Sequence, residues 1–227
     1  MVAVKLPGYP VHLTFDDGPH TILTLKVLDI LKEESVVSTF FVLGEHFAGG
    51  KANPKTKAYY AILDRAKKEG HTIGSHTYSH INHPNFSAEK VRENIMKPNV
   101  LLKEYLSPVL RLPYGAGAFR SSNPATQAKN DMVMDTVKKA GFRHVLWDID
   151  TNDWDEKKWP ELLPTLLRDI RNKKGGIILF HDVKEHTVNH LREWIRAVKD
   201  EGHTFVPMAQ FIPEAANPLP PEALGNP

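Results

Sequence analysis

Short apolar runs alternate with amphipathic stretches along nearly the whole chain. The apolar runs have the length of buried strands and predict seven of them, at Val11–Phe15, Val36–Leu43, His71–Gly74, Val109–Leu112, Arg143–Ile149, Ile177–Phe180 and Thr204–Val206. Apolar residues at helical spacing lie between these runs and predict helices at Thr21–Lys32, Tyr59–Lys68, Ser87 to about Leu106, Met132–Ala140, Glu161–Lys173 and Val188–Asp200. About seven β/α repeats predict a parallel sheet that is either closed into a barrel or doubly wound.

Three segments lack this alternation. Gly44–Lys57 and Gly115–Asn130 are longer than a tight connection needs, and loops of such length in a compact domain are usually functional or mobile. The segment 213–227 is rich in Pro and Ala and has no periodicity, which predicts an extended or disordered tail. None of these segments reads as a linker that would divide the chain into two domains.

The composition excludes several classes of function. The chain has 227 residues, of which 41% are hydrophobic and 25% charged, so its core needs no disulfide or structural metal to fold. Any bound metal is therefore expected to serve chemistry. The net charge of +2 is spread without long basic runs, which argues against a nucleic-acid partner. No apolar stretch is long enough to predict a transmembrane segment, and no feature predicts the oligomeric state.

Cysteine is absent, which excludes thiolate ligands, cysteine nucleophiles and disulfides. Metal ligands must then come from Asp, Glu or the 12 histidines. The segment Met1–Pro10 lacks the apolar core of a signal peptide. We therefore expect either a cytoplasmic protein or an exported one whose signal is not in this sequence.

Two polar clusters point to a metal. Asp16 and Asp17 follow the first predicted strand; they suit a turn that caps the next helix, but adjacent carboxylates repel unless a cation or an arginine lies between them. His76 and His80 are four residues apart, so on a helical turn both rings would face one ion. Histidines elsewhere nearby weaken this signal, because such a pair also occurs on ordinary surfaces. One Asp and two His with an open position is the donor set of a hydrolytic metal site.

Three further clusters also lie at predicted strand ends. Arg111 is either a surface arginine or the partner that keeps a neighbouring carboxylate ionised. Trp154 follows an acidic turn and is either a core residue or a platform for a sugar ring. His181 ends a buried strand and is either a satisfied core histidine or a general acid that needs a carboxylate to orient it.

Taken in order, the five clusters resemble the motifs of the polysaccharide deacetylases of the NodB-homology group, carbohydrate esterase family 4. The matching segments are Phe15-Asp16-Asp17-Gly18-Pro19, His76-Thr77-Tyr78-Ser79-His80, Arg111-Leu112-Pro113-Tyr114-Gly115, Asp150-Thr151-Asn152-Asp153-Trp154 and Leu179-Phe180-His181-Asp182. The resemblance extends from Val11 to Val206 and implies an α/β fold with one domain, a distorted (β/α)7 barrel. We accordingly predict an N-terminal extension at 1–10, a catalytic domain at 11–212 and a Pro/Ala-rich tail at 213–227.

The resemblance also implies a role for each residue of the site. One divalent metal ion, most often Zn²⁺ in this family, would be held by Asp17, His76 and His80. Asp16 would be the general base, paired with Arg111, and His181 the general acid, oriented by Asp153. The backbone N–H of Tyr114 would stabilise the oxyanion. The side chains of Trp154 and Leu179 would line the sugar groove and the acetyl pocket.

The resemblance leaves the substrate open. We expect removal of N-acetyl groups from a glycan that contains GlcNAc, with peptidoglycan first and chitin oligosaccharides second. A xylan O-acetyl esterase is an alternative, and an inactive carbohydrate-binding barrel is the alternative outside the enzymes. A dinuclear hydrolase that also uses His186 or His190 has weaker support, since both residues suit a surface. Because cell-wall glycans lie outside the cytoplasm, such substrates predict an exported protein.

Overall fold

Eight parallel strands form the centre of the molecule in the computed structural model, which describes residues 8–220. They are β1 (Pro10–Asp16), β2 (Thr39–Val42), β3 (Thr72–Ser75), β4 (Val109–Leu110), β5 (Arg143–His144), β6 (Ile149–Asp150), β7 (Gly176–His181) and β8 (Thr204–Phe205). Their order in the sheet is β5-β4-β3-β2-β1-β7-β6, and β8 pairs with the start of β1. The curved parallel sheet confirms the predicted single-domain, distorted (β/α)7 barrel.

Six α-helices accompany the strands in the described residues. They are α1 (Leu23–Glu33), α2 (Lys57–Lys68), α3 (Ala88–Leu101), α4 (Pro124–Lys139), α5 (Leu162–Lys173) and α6 (Glu185–Asp200). The prediction of Ser87 as an N-cap is confirmed, because its hydroxyl accepts a hydrogen bond from Lys90 N–H at 3.3 Å. The predicted extension of this helix to about Leu106 is wrong: it ends at Leu101, and the next residues turn so that Tyr105 and Leu106 are buried in the core.

The predicted loop Gly115–Asn130 is too long, because α4 begins at Pro124 and not at Met132. Asn123 caps this helix by accepting hydrogen bonds from Ala125 N–H and Thr126 N–H. Proline suits the first helical position, where its missing N–H costs nothing. The first turns of α4 are mostly polar, so the apolar periodicity that marks a helix was absent there.

The predicted strand Arg143–Ile149 is in fact two strands that pair with opposite edges of the sheet. β5 pairs with β4, whereas β6 pairs with β7. Between them the chain changes partner: Val145 N–H donates to Leu110 C=O, and Asp148 N–H donates to Ile177 C=O. The intervening carbonyl groups are thereby free to accept hydrogen bonds from a side chain inside the barrel.

Parallel pairing aligns the carboxyl ends of the strands at one rim. Asp16 is in register with His181, and Ser75 is in register with Leu110. His76 and Arg111 follow these last two residues directly, so the sheet itself brings distant parts of the sequence to the same end of the barrel. This is the end at which barrels of this type carry their reactive groups.

The C-terminal segment packs against the barrel as far as it is described. Residues Pro213–Ala216 form one 3₁₀ turn, and both Ala215 and Leu219 are buried. Leu219 N–H donates to Leu106 C=O at 3.2 Å. Residues 221–227 of the predicted tail and 1–7 of the predicted extension lie outside the described residues. None of the helices in 8–220 combines the length and apolar character needed to cross a bilayer.

Candidate active site

A pocket of about 420 Å³ opens at the carboxyl ends of the strands. Its lining consists of Asp16, Asp17, His76, His80, Tyr114, Trp147, Asp150, Trp154, Leu179, His181 and Lys184. Eight of the ten residues predicted from the sequence are in this set. The other two, Arg111 and Asp153, are fully buried and contact pocket residues from behind. The structure therefore brings all ten together.

The predicted metal ligands converge on one carboxylate oxygen. Oδ1 of Asp17 lies 3.3 Å from Nε2 of His76 and 3.4 Å from Nε2 of His80. One ligand atom from each of the three residues can be chosen so that all lie within 4.8 Å of one another. Asp17 has a φ of 73°, in the left-handed region, which turns the chain sharply just after β1.

The other nitrogen of each imidazole is already engaged. His76 Nδ1 lies 2.8 Å from the carbonyl oxygen of Arg111, which requires a proton on Nδ1 and leaves Nε2 as the lone-pair donor. His80 Nδ1 lies 3.2 Å from the hydroxyl of Tyr114. Burial lowers the pKa of His80, which favours the neutral form that a metal ligand needs.

The prediction that His76 and His80 lie on a helical turn is wrong, although both rings face the same oxygen of Asp17. Residues 76–80 form an irregular loop after β3, and Thr77 has a φ of 69°. The loop is fixed by backbone hydrogen bonds from Gly44 N–H to Thr77 C=O and from Tyr78 N–H to Asn94 C=O. A bent loop and a helical turn can present residues four apart in similar directions, so the spacing alone could not distinguish them.

The three residues fit a divalent cation. Oδ1 of Asp17 is buried and accepts no hydrogen bond within the part of the chain that the structure describes. Burial raises the pKa of Asp17, but the neighbouring His76 lowers it by a larger amount, so that the pKa is about 2. The carboxylate is therefore charged near neutral pH. An anionic oxygen with two neutral imidazole nitrogens is a donor set that zinc favours.

Asp16 has a different environment from its neighbour Asp17. It is 3% exposed, and its Oδ1 accepts a hydrogen bond from Nη1 of Arg111 at 2.9 Å. Arg111 is completely buried, and its guanidinium also donates to Val145 C=O and Leu146 C=O at the break between β5 and β6. The broken strand thus supplies the carbonyl groups that hold a buried cation beside Asp16.

Replacing Arg111 by methionine should destabilise the protein strongly. The change leaves the Asp16 carboxylate buried without its partner, which typically costs about 3–5 kcal/mol. Urea denaturation of the metal-free protein measures the free energy of unfolding. Arg168→Met is the control, because that side chain is 58% exposed and pairs with the adjacent Asp169, so its change should stay within about 0.5 kcal/mol. A loss below about 1 kcal/mol in Arg111→Met would show that Asp16 does not depend on this cation.

His181 is held by a buried carboxylate. Asp153 accepts from His181 Nδ1 at 2.7 Å and from the His181 backbone N–H at 2.8 Å. The hydroxyl of Thr187, at the start of α6, donates to the same carboxylate at 2.5 Å. Burial lowers the pKa of His181, but the hydrogen bond and charge of Asp153 raise it more, to about 9. The imidazole is therefore protonated at neutral pH, with Nε2 available to the pocket.

Asp153→Asn should lower the pKa of His181 well below 9, because burial is then opposed only by the weaker charges of Asp16 and Asp17. The test is an NMR titration of the His181 ring in the metal-free protein, where the unmodified chain should titrate near 9. The sign for stability follows: protonation of His181 stabilises the fold fully below about 6.5, and this contribution is lost as pH rises through 9. Asp155→Asn is the matched control, since Asp155 caps a 3₁₀ turn nearby. An unchanged titration in Asp153→Asn would contradict the assigned ion pair.

Two exposed aromatic side chains stand at the rim of the pocket. Trp154 is 54% exposed and Tyr114 is 62% exposed, whereas Leu179 is almost completely buried in the lining. Rings of this kind suit contact with the apolar face of a sugar. The alternative of Trp154 as a core residue is wrong.

Several contacts in the site could not be predicted from the sequence. Thr14 accepts a hydrogen bond from Arg111, Thr187 donates to Asp153, and the Tyr114 hydroxyl contacts His80. Each contact depends on one hydroxyl group, and the sequence carries no signal of the partner that this hydroxyl meets. The dinuclear alternative gains no support: His186 stacks on Trp159 with ring centroids 4.0 Å apart, and His190 stacks on Trp194. In 8–220, the candidate metal group contains Asp17, His76 and His80 and neither of these histidines.

The fold and the site together define a class of protein. It is a barrel of parallel strands with an Asp-His-His group that could hold a metal at the strand ends, next to a carboxylate paired with an arginine and a carboxylate paired with a histidine. The chain belongs to the polysaccharide deacetylase family, whose sequence pattern it matches over residues 3–145. The family resemblance seen in the motifs is thereby confirmed. Membership identifies the protein as a hydrolase of the deacetylase class.

Individual relatives agree with this assignment. The chain is 33% identical over 172 residues to a chitooligosaccharide deacetylase of Azorhizobium caulinodans, covering 76% of this chain and 73% of the relative. It is 29% identical over 208 residues to a peptidoglycan-N-acetylglucosamine deacetylase of Bacillus cereus, covering 89% and 87%. A solved structure of a deacetylase with substrate is 31% identical and superposes with a TM-score of 0.70 over 95% of each chain.

Proposed function

We propose that the protein hydrolyses N-acetyl groups of GlcNAc residues in peptidoglycan, using one zinc ion held by Asp17, His76 and His80. One observation carries the proposal. Oδ1 of Asp17 is buried without a hydrogen bond among the described residues, and two Nε2 atoms face it at 3.3 and 3.4 Å. This arrangement suits a cation. A carboxylate and a protonated imidazole, each held separately, lie in the same pocket.

The choice of peptidoglycan rests on the relatives. The Bacillus cereus relative covers most of both chains and is named for peptidoglycan GlcNAc. The Azorhizobium relative is named for chitooligosaccharides, which makes those the second candidate. Both substrates present the same acetamido group on a GlcNAc ring, so one site chemistry serves either.

Asp16 is proposed as the general base. When bound, the divalent ion would polarise the acetyl carbonyl and make water more acidic. The Asp16 carboxylate, which accepts a hydrogen bond from Arg111 at 2.9 Å, accepts a proton from the attacking water. The backbone N–H of Tyr114 is proposed to donate to the oxyanion that forms on the acetyl carbon.

His181 is proposed as the general acid. An amide nitrogen leaves poorly unless it is protonated, and a protonated imidazole in the pocket can supply that proton from Nε2. Asp153 keeps the ring protonated and fixes its orientation through Nδ1. The products are acetate and a glycan with a free amine. Leu179 and Trp154 are proposed to contact the acetyl methyl group and the sugar ring.

The remaining parts of the assignment follow from this substrate. A peptidoglycan deacetylase works on the cell wall, so we propose that the protein is exported. We propose residues 11–212 as the catalytic unit, which contains every residue of the site. An inactive carbohydrate-binding barrel would bind the same glycans without releasing acetate.

Acetate release from three substrates tests the proposed function. N-acetylated peptidoglycan, chitin oligosaccharides and acetylated xylan are compared at equal acetyl concentration with the zinc-loaded protein. We expect the highest kcat/KM on peptidoglycan, with one free amine formed per acetate. Higher kcat/KM on chitin oligosaccharides would change the substrate but keep the chemistry. Release from xylan without amine formation would support an esterase, and binding without release would support the inactive barrel.

A further inference from the structure

The pairing of β1 with β7 ends one residue before the proposed metal ligand. Asp16 and His181 are the last residues in register, so the hydrogen bonds of the sheet fix these two relative to each other. Asp17 lies beyond that point. Its position relative to His181 must depend on contacts other than the sheet.

Asp182 supplies such a contact. It follows His181 directly, is 1% exposed, and packs against Gly18, the residue after Asp17. The contact is close: a Cβ added to Gly18 would lie 2.4 and 2.5 Å from the two carboxylate oxygens of Asp182. Glycine at position 18 therefore lets the loop after β1 rest directly on the end of β7.

Thr24 holds Asp182 in this place. The Thr24 hydroxyl, buried in the first turn of α1, donates to Oδ2 of Asp182. The same hydroxyl accepts a hydrogen bond from His20 N–H at 2.7 Å. A hydroxyl that accepts one hydrogen bond and donates another is polarised by both, and each hydrogen bond is strengthened as a result. The loop after β1, helix α1 and the end of β7 are thereby joined through one side chain.

The geometry points to Thr24 and Asp182 as positioning residues that fix the metal ligand Asp17 relative to the general acid His181. This inference rests on the proposed function for the roles of Asp17 and His181. Neither Thr24 nor Asp182 lines the pocket, so both act through the loop that carries Asp17. Removing the hydroxyl takes away the hydrogen bond to Oδ2 of Asp182 and the one from His20 N–H, which loosens the contact of this loop with the end of β7.

Thr24→Val removes the hydroxyl at nearly constant volume. Changes in residues that orient metal ligands typically cost 10–100-fold in affinity or activity, so we expect zinc affinity to fall about tenfold. We also expect kcat to fall by a similar factor with little change in KM. Thr24→Ser, which keeps the hydroxyl, should restore both within about twofold.

Thr136→Val is the matched control, because that hydroxyl donates to Met132 C=O within α4, away from the pocket. It should leave zinc affinity unchanged, which separates a lost hydroxyl in general from this one. Zinc affinity is measured by competition with a chromophoric chelator and needs no substrate. A protein that binds zinc normally but releases no acetate would therefore contradict the proposed function and leave this test intact.

Gly18→Ala perturbs the same contact from the other side, because the added methyl group would push the loop away from Asp182. It should also weaken zinc binding, and it decides the question if Thr24→Val does not fold. Wild-type zinc affinity and kcat in folded Thr24→Val, or wild-type zinc affinity in Gly18→Ala, would overturn the inference.

Discussion

His76→Ala is expected to lower zinc affinity on the order of a hundredfold or more and to abolish acetate release. The binding free energy of a structural zinc site, about 10–16 kcal/mol, is shared among four ligands, so each supplies roughly 2.5–4 kcal/mol. The Arg111 carbonyl oxygen also accepts a hydrogen bond from His76 Nδ1, which fixes the tautomer whose Nε2 can bind a metal. Zinc content after dialysis and titration with a competing chelator measure the change.

His190→Ala is the control for this prediction. His190 stacks on Trp194 in α6 and is one of the two histidines that the dinuclear alternative would use for a second metal. Its replacement should leave zinc affinity and turnover unchanged. Normal zinc content and turnover in His76→Ala would refute the ligand assignment, and two zinc ions per chain that fell to one in His190→Ala would support the dinuclear alternative.

Asp16→Asn is expected to keep zinc and to lose turnover. The asparagine side chain has the same shape and retains an oxygen that can accept from Arg111, so the structure around the ion should change little. It cannot take a proton from water, and the loss of a general base typically lowers kcat about 10²–10⁴-fold. Single-turnover acetate release and zinc content are measured on the same preparation.

The neighbouring substitution Asp17→Asn provides the opposite pattern. It replaces the carboxylate that both imidazoles face, so zinc should be lost together with turnover. The two adjacent, chemically identical changes thus separate the proposed base from the proposed ligand. If Asp16→Asn lost its zinc while keeping high residual turnover, the two roles would have to be exchanged.

The sequence predicted which side chains meet at the carboxyl ends of the strands better than it predicted how the strands pair. Each polar cluster follows an apolar run, and parallel strands align their carboxyl ends, so the meeting of Asp16, His76, Arg111 and His181 followed from the alternation of elements. The break between β5 and β6 did not follow from this alternation. Residues 143–149 read as one apolar strand, and a change of pairing partner within a strand leaves no mark on its periodicity.

The residues that form the site were predicted from the sequence, but many of the contacts that hold them in place were not. Residue patterns alone left open which of Asp16 and Asp17 binds the metal, and the family resemblance supplied the choice. The geometry now gives these two carboxylates distinct environments, one on Arg111 and one between two histidines. The hydroxyls of Thr24 and Thr187 were beyond prediction, because a single threonine in a helix carries no signal of the carboxylate it contacts.

Acetate release from N-acetylated peptidoglycan, before and after metal removal, decides whether the protein is a zinc-dependent deacetylase. The zinc-loaded protein should release acetate and should lose this activity after chelation and dialysis. Activity should return on addition of about one equivalent of Zn²⁺ per chain, in line with a single three-residue site. Release that continues at the same rate in the chelated protein, verified as metal-free by elemental analysis, would contradict this zinc dependence.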